Sequence, residues 1–252
     1  QPRSRGLGDV YKRQNNSSGN SNFTSDSTTG ESISRAILRF RPSDRWAMET
    51  GGEIAYNFLD RASAYTEGGV AVPLPSSSVK VEELRGEVFG QATWRPDPTL
   101  TIEGGVRAEV SELTQSGDSD LTKSFVYPKA RLQTTWTPAA GHQLRLRLER
   151  EVGQLDFGDF TASADIDLGQ VEGGNPDLEP QKSTVLEAVY EYRFWGEGAL
   201  LASWQYAEVE DVVDIIPLAG GFDGVGNIGD GVQETFDLRL TLPTDRLGIS
   251  NG

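Results

Sequence analysis

The stretch LTIEGGVRAEV, residues 100–110, decides the fold, because its apolar and polar side chains alternate. One face carries Leu100, Ile102, Val106, Ala108 and Val110, and the other carries Thr101, Glu103, Arg107 and Glu109. Side chains that alternate with a period of two belong to a β-strand whose two faces meet different surroundings. The stretch therefore predicts a strand with one apolar face and one charged face.

The same alternation recurs along the chain and predicts an all-β protein. Leu144, Leu146 and Leu148 alternate with Arg145, Arg147 and Glu149. The pattern predicts nine strands, at about residues 32–41, 45–58, 79–94, 99–113, 124–137, 142–152, 182–194, 199–217 and 233–242.

The connections between these strands alternate in length. Short turns rich in Pro and Gly fall at residues 42–44, 95–98, 138–141, 195–198 and 243–246, and long polar connections fall at 59–78, 114–123, 153–181 and 218–232. Up-and-down barrels of the bacterial outer membrane have short turns on the periplasmic side and long loops outside. We therefore expect a transmembrane antiparallel β-barrel in the outer membrane, in contact with its lipid.

Tryptophans and charges agree with that orientation. Trp46, Trp94, Trp136 and Trp195 each lie next to a short turn, where indole rings form an aromatic girdle at the headgroup level. The charges that interrupt the apolar face sit toward the long loops, where they would stand above the membrane: Lys80, Glu82, Glu112, Arg150, Lys182, Glu208, Glu210 and Glu234.

The opposite face is too charged for a dry core and predicts a wide, wet lumen. It carries Glu83, Arg85, Glu87, Glu103, Arg107, Glu109, Lys129, Arg131, Arg145, Arg147, Glu149, Glu187, Glu191 and Arg193. Single-chain bacterial barrels close with an even number of strands. Nine strands therefore indicate an incomplete barrel, a slice of a larger one.

Composition excludes several classes of function. The 252 residues carry a formal net charge of −15, no cysteine and a single histidine, His142. An acidic chain lacks the basic footprint of a nucleic-acid-binding protein. Without cysteine there is no disulfide or thiol chemistry, and one histidine makes a His-rich metal site or a His-dependent triad unexpected. We expect no cofactor, no metal and no catalytic residues.

The two ends of the sequence differ from its middle. Residues 1–14 are basic and without periodicity, and resemble translated adaptor sequence. Residues 15–31 are almost wholly Ser, Asn, Thr and Gly and predict a polar loop. Residues 32–252 are expected to form the partial barrel, and the end at Asn251-Gly252 looks cut.

One connection carries a family resemblance. Gly174-Asn175-Pro176-Asp177-Leu178-Glu179-Pro180 resembles the GNPxLxPE segment that precedes a strand in TonB-dependent outer-membrane receptors, with Gln181 in place of the usual glutamate. Tyr127-Pro128-Lys129 and Trp136-Thr137-Pro138 are similar to the strand and turn before it. The resemblance implies a barrel of about 22 strands around an N-terminal plug. It also implies active uptake of a scarce nutrient (a siderophore, cobalamin or carbohydrate), energised through the TonB complex.

The long connection after Arg150 holds the candidate ligand-binding residues Asp156, Phe157, Asp159 and Phe160, because acids and aromatics on outer loops can hold a ligand. A calcium site at Asp165 and Asp167 lacks the ligand spacing of a known loop. The glycines at 220–226 open no helix, so they predict no phosphate site. Carboxylate pairs such as Glu103 with Glu109, or Glu187 with Glu191, arise by chance among so many lumen charges.

Two other functions stay open at this stage. A passive porin-like channel would share the barrel and lack the plug. A soluble β-rich carbohydrate-binding protein would instead bury the apolar face between two stacked sheets, with Leu100, Leu146 and Leu238 in a closed interior.

Overall fold

The computed structural model describes residues 3–5, 10–18, 20–165 and 170–248. Their strands are Arg3–Arg5 (β1), Val10–Ser18 (β2), Ser21–Ser43 (β3), Trp46–Glu67 (β4), Val70–Val72 (β5), Ser78–Asp97 (β6), Leu100–Gly117 (β7), Leu121–Ala139 (β8), His142–Val152 (β9), Ser163–Asp165 (β10), Gln170–Glu172 (β11), Lys182–Phe194 (β12), Gly198–Glu210 (β13), Val213–Pro217 (β14), Asp223–Asn227 (β15) and Gly231–Thr241 (β16). The two 3₁₀-helices are Phe157–Phe160 (η1) and Thr244–Leu247 (η2). Neither described helix is long or apolar enough to cross a membrane.

One antiparallel sheet contains all the long strands, in the order β1-β3-β4-β6-β7-β8-β9-β12-β13-β16, with β2 on β3 and β5 on β4. Strands that follow one another among the long ones are paired, as an up-and-down meander requires. The two edges of this sheet do not pair with each other in the described part of the chain. This confirms the predicted fold class, an incomplete β-barrel.

A second, four-stranded sheet of short strands lies at the long-loop end, in the order β10-β11-β15-β14. The single strand expected over residues 199–217 is in fact two strands, β13 and β14, and only β14 belongs to this second sheet. The break falls at Asp211, whose φ of 55° is incompatible with a continuing strand. Strand β14 therefore leaves the barrel wall and joins the four-stranded sheet, which we call the loop sheet.

The polar residues 15–31 are not a loop, which corrects the expectation for this range. Most of them pair with neighbouring strands, since β2 and β3 form a hairpin and β3 continues its pairing with β4 up to Ser21↔Glu67. Backbone hydrogen bonds satisfy a Ser- and Thr-rich strand without an apolar face, and Phe23 supplies one buried anchor. Residues 3–5 and 10–14 also pair with β3, and the adaptor-like origin of residues 1–14 stays a prediction.

Proline 128 lies inside β8, where a strand proline costs a hydrogen bond. It stands opposite Ala108 of β7 without a register shift. On the other side of β8, the pairing with β9 runs only to Arg131↔Glu149, so β9 needs no N–H from residue 128. The proline is therefore accommodated where one neighbour has ended.

The apolar face of the sheet is uncovered. Val106 is 67% exposed and Leu238 61% exposed, and Leu146 is also exposed on the same face. The described residues therefore do not form the stacked, closed interior of a soluble sandwich.

The other face carries ion pairs between adjacent strands. Lys129 Nζ lies 2.8 Å from Glu109 Oε2, and Arg107 Nη1 lies 3.1 Å from Glu87 Oε1. Further pairs between strands join Arg35 and Arg85 to Glu53 and Arg147 to Glu187, and Arg147 also pairs with Glu149 of its own strand. Charges of both signs thus compensate each other along the inner wall.

Candidate functional site

The long connection between β9 and β12 folds back over the inner face of the wall. Phe160 and Leu178 from this connection pack on Val79 and Val81 of β6 and Leu113 of β7, and all five are nearly or fully buried. We call these five residues the loop-docking cluster. Its wall members lie on the inner face at the long-loop end, so the connection covers the inner wall at this end of the lumen.

The segment Gly174–Pro180, which carries the family resemblance, holds the connection in place. The buried Asn175 donates from Nδ2 to the carbonyl of Val225 at 2.9 Å, and its Oδ1 accepts from the N–H of Asp177 at 3.0 Å. Its own N–H donates to the carbonyl of Asp159 at 2.9 Å. One asparagine therefore joins η1, the turn at Pro176-Asp177 and β15.

Three other residues of the segment also hold the connection in place. At Gly174, an added Cβ would lie 2.4 Å from the carbonyl oxygen of Phe160, so only glycine fits. Leu178 fills the loop-docking cluster, and its carbonyl accepts from Lys123 Nζ at 3.3 Å. The backbone of Glu179 exchanges two hydrogen bonds with the side chain of Asn227, at 2.8 and 3.0 Å.

The four candidate residues of η1 and its cap have different environments. Asp156 is exposed and caps η1, accepting from the N–H of Gly158 at 2.8 Å. Phe157 is half-buried, whereas Phe160 is fully buried and offers a ligand no surface. Asp159 is half-buried, and burial raises the pKa of its carboxyl to about 6, with further contributions from the neighbouring Asp156 and Glu172.

Arg61 of β4 is a site residue that the sequence did not indicate, because it lies in a stretch predicted to be a loop. Its Nη1 donates to Thr161 Oγ1 at 2.7 Å, and its Nε is buried with no hydrogen-bond partner among the described residues. Burial lowers the pKa of this guanidinium, and the nearby Asp156 acts in the opposite direction.

Two cavities flank this arginine. A cavity of 320 Å³ is lined by Asp156 and Phe157 of the connection together with Arg61 and residues of β3 and β4, among them Glu31 and Asn57. A second cavity of 190 Å³ is lined by Arg61, Asp159, Thr161, Ser163, Glu172 and Val225, with two glycines. The structure thus brings Asp156, Phe157 and Asp159 together around one cation.

The carboxylates considered as acid/base pairs instead bind neighbouring side chains of the wall. Glu109 and Glu187 are paired with Lys129 and Arg147, and Glu103 accepts from Gln133. Asp167 lies outside the described residues, as does the side chain of Asp165. Within the part of the chain that the structure describes, no group of three or more His, Asp or Glu side chains is placed to hold a metal ion.

The four tryptophans lie at the short-turn end with partly exposed rings, and Trp46, Trp94 and Trp136 are on the apolar face. Trp46 and Trp94 are paired across β4 and β6 and stack at 5.6 Å between ring centroids. Trp136 stands opposite Leu100, and Trp195 lies in the turn after β12 with a φ of 55°. His142 stacks on Tyr192 at 4.3 Å at the same end.

An open meander with an uncovered apolar face, a charged inner face and short turns at one end defines the wall of a bacterial outer-membrane β-barrel. A family model fits this assignment: the model described as "TonB dependent receptor-like, beta-barrel" matches residues 3–245. The chain belongs to this family, whose members are bacterial outer-membrane proteins. No curated relative matches the chain by sequence.

Solved structures share the fold at low identity. The copper transporter OprC is 15% identical with a TM-score of 0.66, over 86% of this chain and 36% of its own. The hemophore receptor HasR of Serratia marcescens is 12% identical with a TM-score of 0.62, over 87% and 40%. The alcaligin receptor FauA of Bordetella pertussis is 14% identical with a TM-score of 0.60, over 94% and 39%. The chain therefore spans about two-fifths or less of these proteins.

Proposed function

We propose that the protein containing this chain is a receptor that binds a scarce nutrient, such as a siderophore, cobalamin or a carbohydrate, and takes it up actively. Its barrel would lie in outer-membrane lipid with the tryptophans as the girdle, and the TonB complex would supply the energy. The chain's part would be binding and passage, with no chemical step.

The observation that carries this proposal is the inward position of the connection between β9 and β12. Asp156 and Phe157 line a 320 Å³ cavity against the inner wall, beside the cation Arg61. A carboxylate, an aromatic face and a guanidinium on the path into the lumen can hold a polar, partly aromatic molecule. The exposed Asp156 and half-buried Phe157 are the contact residues that we propose, and the buried Phe160 has a packing role.

The test uses the full-length protein in bacteria, with ferric siderophores, cobalamin and oligosaccharides as probes. We expect uptake of one probe to need the proton-motive force, and the double variant Asp156→Asn, Phe157→Ala to lower uptake at limiting probe by about tenfold, the equivalent of 1.4 kcal/mol. Glu197→Gln, in a short turn at the opposite end of the barrel, is the matched control.

Uptake that persists after the proton-motive force is collapsed would indicate a passive porin-like channel. Normal uptake by the double variant would remove Asp156 and Phe157 from the binding site. The probe should also be recovered unchanged from a strain that lacks intracellular processing of it. A chemically altered probe would show that the protein carries out a chemical step, which would contradict the proposal.

A further inference from the structure

The docked connection concentrates negative charge around one arginine. Asp159 and Glu172 line the same 190 Å³ cavity as Arg61, and Asp156 lies close to both Asp159 and Arg61. Among the described residues, the groups that face Asp159 are Asp156 from the cap of its own helix, Arg61 from β4 and Glu172 from β11. Strands β10 and β15 contribute the hydroxyl of Ser163 and the apolar Val225. Three carboxylates and one guanidinium thus lie near one another.

Asp159 is part of the unit that docks. Its carbonyl accepts from the N–H of Asn175, so η1 is joined at this residue to residues 174–180, which we call the family segment. The N–H of Ala162 donates to the carbonyl of Ser76 at 3.1 Å, and the N–H of Gly174 donates to the carbonyl of Pro75 at 3.4 Å. These amides lose their partners if the connection lifts from the segment before β6.

Docking moves the Asp159 carboxyl from water into a half-buried place beside two other acids. Both changes disfavour its charged form. Its pKa is about 6 in the docked structure, against the ordinary value of 3.8 that it regains in an undocked, solvated connection. Acid conditions therefore remove a repulsion that exists only in the docked state.

We propose that the connection is a pH-sensitive lid, in which protonation of Asp159 strengthens its docking on the inner wall and deprotonation loosens it. The lid comprises residues 156–162 and 174–180, which carry η1, the family segment and two members of the loop-docking cluster. This regulation rests on the proposed function, because the lid also carries the proposed contact residues Asp156 and Phe157.

The direction follows from linkage between proton binding and docking. The docked state binds the proton more tightly, so the stabilisation is complete below the solvated pKa and is lost as the pH rises through the docked pKa. With values of 3.8 and about 6, the docking equilibrium at pH 5 is favoured about tenfold over that at pH 8. Because Asp159 is only half-buried, screening by water lowers the expected effect to about three- to tenfold.

Hydrogen exchange in the ligand-free, full-length protein in lipid nanodiscs measures this equilibrium. The amides of Ala162 and Gly174 report docking, because each donates across the docked interface to the segment before β6. After correction for the pH dependence of chemical exchange, we expect their protection to be about three- to tenfold higher at pH 5 than at pH 8. Amides of the β7–β8 ladder, such as that of Val106, are the internal reference.

Three variants assign the effect. Asp159→Asn should hold the protection at its acid level at both pH values, and Glu172→Gln should move the midpoint to lower pH. Asp177→Asn, which removes an exposed carboxylate in the same segment, should keep the wild-type pH dependence.

Equal protection of these amides at pH 5 and pH 8 in the wild-type protein would overturn the proposal. A wild-type pH dependence in Asp159→Asn would overturn it as well, since another group would then be titrating. Both measurements are made without nutrient, so they give an answer whether or not the protein transports one.

Discussion

At the scale of single residues, the family segment is a structural clamp whose side chains have separate tasks. Asn175 supplies hydrogen bonds in three directions, Leu178 supplies apolar contact and Gly174 permits close approach of two backbones. The two prolines restrict the backbone between them, which lowers the entropy lost on docking. Gln181, which follows the segment, contacts a different strand: its Oε1 accepts from the N–H of Val213 at 3.2 Å.

The asparagine gives the sharpest prediction at this scale. Asn175→Ala should weaken docking of residues 174–180 by about 1–3 kcal/mol, because the carbonyl of Val225 and the N–H of Asp177 lose a buried partner. Hydrogen exchange of residues 174–178 and 223–227 in the full-length protein measures the change. Asp177→Ala, whose side chain is exposed, is the control, and equal protection in the two variants would contradict the role given to Asn175.

At the scale of elements, the strands were readable from the sequence because period-two alternation depends only on the two faces of one strand. Each of the nine expected segments overlaps one long strand of the sheet, and 142–152 and 182–194 agree with β9 and β12 at both ends. The hairpin of β2 and β3 was missed because Ser- and Asn-rich strands have no apolar face to show. The split at Asp211 was missed because nothing local separates a wall strand from a loop strand.

The candidate site was readable only in part, for a related reason. Asp156, Phe157 and Asp159 were found because they lie together in one loop of the sequence. Arg61 comes from another strand, about a hundred residues away from Thr161, and no local pattern joins the two. Phe160 looked like a loop aromatic, and only tertiary packing with Val79, Val81 and Leu113 shows it to be core.

The free edge of the loop sheet is protected against further pairing. In β14, the N–H of Val213 donates to Gln181 Oε1, the N–H of Ile215 donates to Asp214 Oδ1 at 2.8 Å, and Pro217 has no N–H to offer. An exposed edge strand with unpaired backbone N–H groups can pair with a strand of another chain. The edge of the loop sheet formed by β14 is therefore protected against pairing with a strand of another chain.

The apolar face of the wall gives a prediction for a single strand. Val106 lies six residues from Leu100, which stands opposite Trp136, and this places it about 15 Å above the tryptophans for a tilted strand. Val106→Lys should lower the free energy of unfolding by about 2–4 kcal/mol in lipid, because lysine would face the bilayer midplane. Denaturant titration of the full-length protein in vesicles measures it.

The matched control is Gln205→Lys on β13. Gln205 stands opposite Glu187 and Thr235, on the inner face and at a similar height in the wall. A lysine there meets water and carboxylates, so its cost should be below about 1 kcal/mol. Equal costs at the two positions would mean that lipid does not cover the face that carries Val106.

At the scale of the whole molecule, charge is distributed unevenly between the two ends of the barrel. No Lys, Arg or His occurs between Arg193 and Arg239, and the acids in this interval are Glu197, Glu208, Glu210, Asp211, Asp214, Asp223, Asp230, Glu234 and Asp237. Most of these acids lie at the long-loop end of β13 and β16 or in the loops between them. Arg41, Arg45 and Arg95 lie at the short turns of the opposite end. With a net charge of −15, the outer mouth should therefore have a negative potential.

That potential predicts which molecules reach the loops fastest. A fluorescent trilysine peptide should associate with the full-length protein in nanodiscs faster than a triglutamate peptide of the same length, because opposite charge raises the encounter rate. Raising NaCl from about 0.02 M to 0.5 M should slow trilysine about tenfold, since the Debye length falls below the distance between exposed charges. Stopped-flow fluorescence measures both rates, and empty nanodiscs of the same lipid correct for binding to the membrane.

A triple variant, Asp214→Asn, Asp223→Asn and Asp230→Asn, assigns the effect to the loops after β13. It should reduce the trilysine rate and its dependence on salt, while Glu197→Gln at the far end should change neither, because its charge is screened over the height of the barrel. Equal rates for the two peptides at low salt would show that charges beyond this chain neutralise its outer mouth. A nutrient would then be attracted by contacts such as those of Arg61 and Phe157 and not by the long-range field.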